Sequence, residues 1–205
     1  MKKRESNDNQ VSTTKVIASS GSFKIELIDK IGDKDNNDLI EISKTLEKEY
    51  GKRSVLNEKM IDLYFNRDGS LPLIARFKND IIGYIIGLPI ELLSKEPWAR
   101  LDENYGQFNT IYTYAFVIKE TYKGNGYAKI LKKVYINWAK KRDGIRYITG
   151  HVKLGISSRF KGDIKIVNQI DNWQGTRKIF EYYRRNLDPE EIYISRTNTP
   201  NESGV

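Results

Sequence analysis

The segment from Tyr114 to Leu131, Tyr-Ala-Phe-Val-Ile-Lys-Glu-Thr-Tyr-Lys-Gly-Asn-Gly-Tyr-Ala-Lys-Ile-Leu, constrains the fold more than any other. Thr110 to Ile118 is rich in β-branched and aromatic residues and free of Gly and Pro, which predicts a strand. Lys123-Gly124-Asn125-Gly126 breaks it. Tyr127, Ile130, Leu131, Val134, Trp138 and Ala139 then recur at three- and four-residue spacing, the period of a helix. The break therefore lies at a helix N-terminus, where unpaired N–H groups and the positive end of the helix dipole suit a phosphate. Gly124 and Gly126 lack a Cβ and tolerate positive φ, so the backbone can approach an anion closely. A Gly-x-Gly turn also arises for steric reasons alone. A P-loop requires Gly-x-x-x-x-Gly-Lys-Ser/Thr, and the sequence has no such run. A dinucleotide-binding turn requires an acidic residue on the following strand, whereas Asp143 falls at the end of the helix.

The segment Ile118-Lys-Glu-Thr-Tyr-Lys123-Gly-Asn-Gly126-Tyr-Ala128-Lys-Ile-Leu131 resembles motif A of the GNAT acetyltransferase superfamily. That motif ends a strand on a branched apolar residue and continues through a polar turn into Arg/Gln-x-x-Gly-x-Gly/Ala. Lys123 takes its first position, Gly126 the Gly and Ala128 the Gly/Ala. Lysine there keeps the charge and loses the guanidinium fork. A second, less specific resemblance, to motif B, covers Thr176-Arg-Lys-Ile-Phe-Glu-Tyr-Tyr183-Arg-Arg185.

Composition narrows the chemistry. The 205 residues suit one good-sized domain. With no cysteine, disulfides, thiolate metal sites and a Cys nucleophile are excluded, and one histidine argues against a His-rich metal site. No apolar run approaches the roughly 20 residues of a membrane helix. After Met1-Lys-Lys-Arg4 the chain turns polar, with no apolar leader core, so a cytoplasmic location is the simplest expectation. The net charge of +8 favours an anionic partner or reflects a solvated Lys-rich surface. Its scatter along the chain argues against nucleic acid as that partner.

Residues 1–21 read as a disordered polar tail, 22–196 as the domain and 197–205 as a flexible tail. Within the domain, 22–29 alternates as a half-buried strand. Helices follow from Asp35 or Asn37 to Tyr50 and over 57–66. Residues 71–77 and 81–88 form an antiparallel hairpin, and 91–109 a long irregular stretch. After the central strand, the Gly turn and a helix to Arg142, 145–152 reads as a strand and 153–171 as irregular. Residues 174–186 read as a helix and 191–195 as a last strand. The order β-α-α-β-β-β-α-β-α-β gives an α/β class with a mixed, mostly antiparallel sheet flanked by helices. It matches the single-domain GNAT fold.

The resemblance implies function. Acetyl-CoA would be held by the backbone at Phe116, Val117 and Ile118 and by the turn Lys123, Gly124, Asn125, Gly126, Tyr127 and Ala128, with no metal. A primary amine of a peptide N-terminus, a lysine or a small molecule would attack the thioester directly in a ternary complex. Tyr183 falls where the family carries the acid that protonates the leaving thiolate. Gly150-His151-Val152 resembles the end of this strand in several protein N-terminal acetyltransferases, where the histidine serves as base through water. An unperturbed imidazole, titrating near 6.5, suits that task. Glu91, Asp102 and Glu103 are rival bases, and Tyr112 and Tyr114 could hold a relay water. Acidic residues beside Trp98 and Tyr105 would suit a cationic amine, and the basic residues of 153–165 an anionic acceptor or the CoA 3′-phosphate. The other readings are a non-catalytic acyl-CoA-binding module and an RNA- or ribosome-associated protein. Exposed edge strands would allow a homodimer.

Overall fold

The computed structural model describes residues 11–187. Its strands are β1 (Thr13–Ser20), β2 (Phe23–Lys30), β3 (Leu71–Phe77), β4 (Asp80–Pro89), β5 (Thr110–Ile118), β6 (Tyr147–Lys153), β7 (Ile164–Ile170) and β8 (Phe180–Asn186). The helices are α1 (Asp33–Ser43), α2 (Glu47–Tyr50), α3 (Glu58–Tyr64), α4 (Pro97–Arg100) and α5 (Tyr127–Lys140). The strands form one eight-stranded sheet in the order β1-β2-β3-β4-β5-β6-β8-β7. Only β5 and β6 run parallel. A mixed, mostly antiparallel sheet flanked by helices is thus what the chain forms. No helix among the described residues is long and apolar enough to cross a membrane.

Local chemistry sets these elements. Asn57 caps α3 by accepting a hydrogen bond from the Met60 N–H at 3.0 Å. β4 is apolar on both faces and sits mid-sheet, covered on each side. Leu39 and Ile42 of α1, with Ile61 of α3, pack on one face. Leu131, Tyr135 and Ala139 of α5, one turn apart, pack on the other. Gly87 makes room for that second layer: a Cβ there would stand 2.5 Å from the Tyr135 hydroxyl.

Two irregularities open the sheet at its middle. β5 pairs with β6 only over Thr110–Tyr112 against Tyr147–Thr149, and beyond that the strands separate. On its other edge β5 pairs with β4 throughout, with a bulge that leaves Tyr114 without an opposite residue. A V-shaped gap results, with α5 on one face and α1 and α3 on the other.

Four parts of the sequence reading are corrected. Residues 13–20 are a strand where a disordered tail is expected; Thr, Val and Ile suit a strand, but this is an edge strand with little to bury, so no alternation marks it. β7 likewise occupies the stretch read as irregular, as an exposed edge. The helix expected over 174–186 is a short turn, Trp173–Gly175, followed by β8. The motif B resemblance therefore falls on a turn and a strand, not on a helix. The long stretch 91–109 contains α4 and opens on a helical turn that begins just before it, at Ile90–Leu93. The last strand expected at 191–195, the tail 197–205 and residues 1–10 lie outside the described residues.

Candidate active site

The gap between β5 and β6 is a cleft of about 960 Å³, counting its open mouth. It passes through the sheet. Lys132, Tyr135, Phe160, Tyr183 and Arg185 line it on the α5 face, and Tyr50, Arg53, Tyr112, His151 and Trp173 on the other.

The backbone of β5 forms one wall. The Lys119 N–H bonds to Ile82 O at 2.7 Å, and the Val117 carbonyl points at Gly83, so these residues present their backbone to β4. Period-2 alternation then turns the N–H groups of Phe116 and Ile118 toward the gap. Of the three residues expected to meet the pantetheine arm, Phe116 and Ile118 turn their N–H groups to the gap and Val117 turns its own to β4.

Between β5 and α5, Gly126 (φ 80°) is the N-cap of the helix, and Gly124 (φ 83°) precedes it. Added Cβ atoms at either glycine would meet nothing within 4 Å, so the reason for glycine is backbone conformation and open approach, not crowding. The first N–H groups of α5, at Tyr127 and Ala128, have no acceptor within the helix. The Asn125 amide braces the turn through the Tyr122 and Lys123 carbonyls. Lys123 is paired with Glu120 at 2.5 Å on the exposed surface, a weak attachment that an anion can displace. This open, N–H-lined turn fits a pyrophosphate.

Tyr183 enters the cleft from β8, opposite Gly150. A Cβ at Gly150 would lie 3.2 Å from the phenol oxygen, so glycine leaves the ring its place. Burial raises the Tyr183 pKa, with Thr113 and Arg185 opposing, so the phenol keeps its proton at neutral pH. Thr113 also meets the Tyr135 hydroxyl at 3.1 Å, which makes a group of three hydroxyls where the strands part. The sequence reading singled out Tyr183 of these; Tyr135 was legible as one turn beyond Leu131, but Thr113 carries no signal of its own.

His151 lies on the other face. Its ring stacks on Trp173 at 3.8 Å and on Tyr182 at 4.7 Å, with the Trp98 edge at 4.7 Å. Nδ1 meets the Tyr112 hydroxyl at 3.0 Å, and Nε2 is buried without a partner. Burial lowers the pKa to about 3. The expectation of an imidazole titrating near 6.5 is thereby corrected: the ring is neutral, and too weak a base to hold a proton at pH 7.

The acidic rivals are engaged elsewhere. Glu91 Oε1 accepts from the N–H groups of Gly106 and Phe108 at 3.1 and 2.9 Å, which shapes the loop. Asp102 accepts from Tyr182 at 2.6 Å and from Arg184 at 2.9 and 3.0 Å, and Arg184 also pairs with Glu103. Burial pushes the Asp102 carboxyl up, but Tyr182, the Asn104 amide and Arg184 outweigh it and hold the pKa below the usual range. Asp102 and Glu103 thus staple the loop to β8, and Glu91 holds the loop's own fold. No Asp or Glu lines the cleft among the described residues.

Two loops roof this end. A Cβ on Gly51 would stand 3.2 Å from Gln174 O, and Lys178 Nζ donates to Lys48 O at 2.8 Å. Asn172, Gln174 and Arg177 all have positive φ, a strained turn that projects Trp173 and Gln174 into the cleft.

The model of the acetyltransferase (GNAT) family matches residues 39–155, more than half of the chain. The chain belongs to the GNAT acetyltransferase family. It is accordingly an acyltransferase, and the splayed sheet and glycine turn are its GNAT features. No curated protein matches the sequence. Solved structures are similar in fold. A GNAT-family acetyltransferase from Desulfovibrio desulfuricans is 12% identical with a TM-score of 0.58, over 80% of this chain and 99% of that one. The ribosomal-protein-S18-alanine N-acetyltransferase of Escherichia coli is 10% identical with a TM-score of 0.56, over 80% and 94%. An aminoglycoside 6'-N-acetyltransferase complexed with coenzyme A is 14% identical with a TM-score of 0.57, over 81% and 98%.

Proposed function

We propose that this GNAT protein is an acetyl-CoA-dependent N-acetyltransferase whose acceptor is a primary amine of low pKa, such as a peptide N-terminus. The observation that carries the reading is the cleft running through the sheet, between the open glycine turn that starts α5 and a roofed aromatic chamber at the far end. Coenzyme A in the similar aminoglycoside acetyltransferase structure supports the choice of donor.

Lys123, Gly124, Asn125, Gly126, Tyr127 and Ala128 hold the pyrophosphate through backbone N–H groups and the helix dipole. The free edge of β5 at Phe116 and Ile118 pairs with the pantetheine arm as an added strand. The bound donor supplies an activated acetyl thioester. An N–H of this edge stabilises negative charge developing on the thioester oxygen. Tyr183 gives its proton to the departing thiolate. The amine attacks from the opposite face, so both substrates are held together and no enzyme nucleophile is needed.

Acceptor choice follows from the lining of the cleft. With no carboxylate lining the cleft among the described residues and a weakly basic His151, the rate follows the fraction of acceptor amine that is already neutral in solution. An α-amine with pKa near 8 is about one-tenth neutral at pH 7, and a lysine amine near 10.4 less than about one-thousandth. Neutral His151, held by Tyr112, offers Nε2 as a hydrogen-bonding group to the acceptor rather than as the titrating base.

CoA release in the presence of peptide and small-amine panels tests the reading. α-Amines should turn over faster than lysine side chains; acetyl-CoA binding without release for any amine would leave a binding module only. Tyr183→Phe should lower kcat by roughly 10²-fold or more with acetyl-CoA affinity unchanged, measured by steady-state kinetics and calorimetry. Unaltered kcat would remove Tyr183 as the acid.

A further inference from the structure

Lys132 has no part in the chemistry above, yet it lies in the same chamber. It projects from α5 into the cleft, and its Nζ stands 3.2 Å above the centroid of Phe160. The other side of that contact is the catalytic wall: the Phe160 and Tyr183 rings meet edge-on at 5.1 Å. The amine is therefore one aromatic ring away from the Tyr183 phenol, the acid of the proposed reaction. The lysine's four-carbon stem is flexible, and both groups line one cleft.

The Phe160 face favours an ammonium there, but burial and a neighbouring cation oppose it and prevail. Among the described residues Lys132 has no carboxylate partner, whereas Lys44 and Lys123 on the surface each have one. The titratable groups around it are Tyr135 on its own helix and Tyr183 and Arg185 from β8, with Phe160 from the loop between β6 and β7. Arg185 brings a second positive charge, and among the described residues its guanidinium donates to the Lys161 carbonyl at 2.5 Å. Burial, and then Arg185, lower the Lys132 pKa to about 8. About one amine in ten is then neutral at pH 7, against about one in three thousand for a lysine of ordinary pKa.

We infer that Lys132 is a site of self-acylation, modified by the acyl donor bound in its own cleft when no acceptor amine is present. The inference rests on the acetyl-CoA reading of the site. Nζ attacks the thioester carbonyl, the N–C bond forms as the C–S bond breaks, and the proton lost from nitrogen ends on the thiolate. The products are an amide on Lys132 and free CoA. The reaction removes a buried charge that lies near Arg185, and with it the repulsion and the desolvation cost that lower the amine's pKa.

The test uses the full chain incubated with acetyl-CoA and no acceptor, followed by intact-mass measurement and peptide mapping, with acetyl-CoA affinity measured separately by calorimetry. The expected result is a mass gain of one acetyl group, mapped to Lys132 and absent from Lys132→Arg. Its rate should be independent of protein concentration and rise several-fold between about pH 7 and about pH 9, as the amine deprotonates. Labelling spread over exposed lysines and equal in Lys132→Arg would overturn the inference. Acetyl-CoA binding with no label on the wild-type chain would overturn it alone. No acetyl-CoA binding at all would overturn both it and the donor reading.

Discussion

His151 is the chain's one histidine, and its surroundings turn a candidate base into a neutral member of an aromatic stack. The folded ring has a pKa of about 3, and the unfolded one lies near 6.5, so below about pH 6.5 the unfolded chain binds the extra proton. Stability should be full above that pH and fall by about 1.4 kcal/mol per unit as the pH drops. Depressed carboxylates such as Asp102 add their losses only lower, as pH falls through their own folded values. With no other imidazole present, urea unfolding between about pH 6.5 and about pH 5 isolates this effect. His151→Gln should flatten the slope; a slope unchanged by the substitution would place the ring in contact with water. Gly-His-Val was legible in the sequence as an end of strand near the chemistry. The burial was not, because Trp98, Trp173 and Tyr182 reach the ring from three separate segments.

At the scale of elements, the strand, turn and helix from Thr110 to Lys140 read correctly because each is locally determined: an uninterrupted β-branched run, two glycines, then a helical period. β8 did not. Its residues Phe180, Tyr182 and Tyr183 mimic helical spacing, and Glu181, Arg184 and Arg185 look like a solvated face. In the sheet all six residues from Phe180 to Arg185 are buried, and the charged ones find partners in Ser157, Asp102 and the Lys161 carbonyl. Long-range partners of that kind leave no trace in periodicity. The glycine turn offers a sharper test of its role. Gly126→Ala places a Cβ at φ 80°, costing about 1–2 kcal/mol in the helix cap, and holds the turn's backbone away from an anion. Calorimetry should show acetyl-CoA affinity falling by more than tenfold, while a mild loss of thermal stability accompanies it. Affinity unchanged by this substitution would mean that the pyrophosphate binds elsewhere.

For the whole molecule, the two halves of the sheet are joined through only three β5–β6 register pairs, Thr110–Tyr147 to Tyr112–Thr149. A ligand lying between the strands completes what the backbone leaves open. It should therefore stabilise the fold as a unit: acetyl-CoA at a hundred times its dissociation constant adds about 2.7 kcal/mol. A single melting transition that moves upward with acetyl-CoA, and not with adenosine, is the expected calorimetric result; an unmoved transition would separate the cleft from the donor. The aromatic stack on the acceptor side has a further consequence. Of the chain's three tryptophans, Trp98 and Trp173 both touch His151, and Trp138 belongs to α5 on the opposite face. Two of the three intrinsic fluorophores thus sit around one chamber, so its filling and emptying can be followed by light emitted from the protein itself, with no label on enzyme or acceptor.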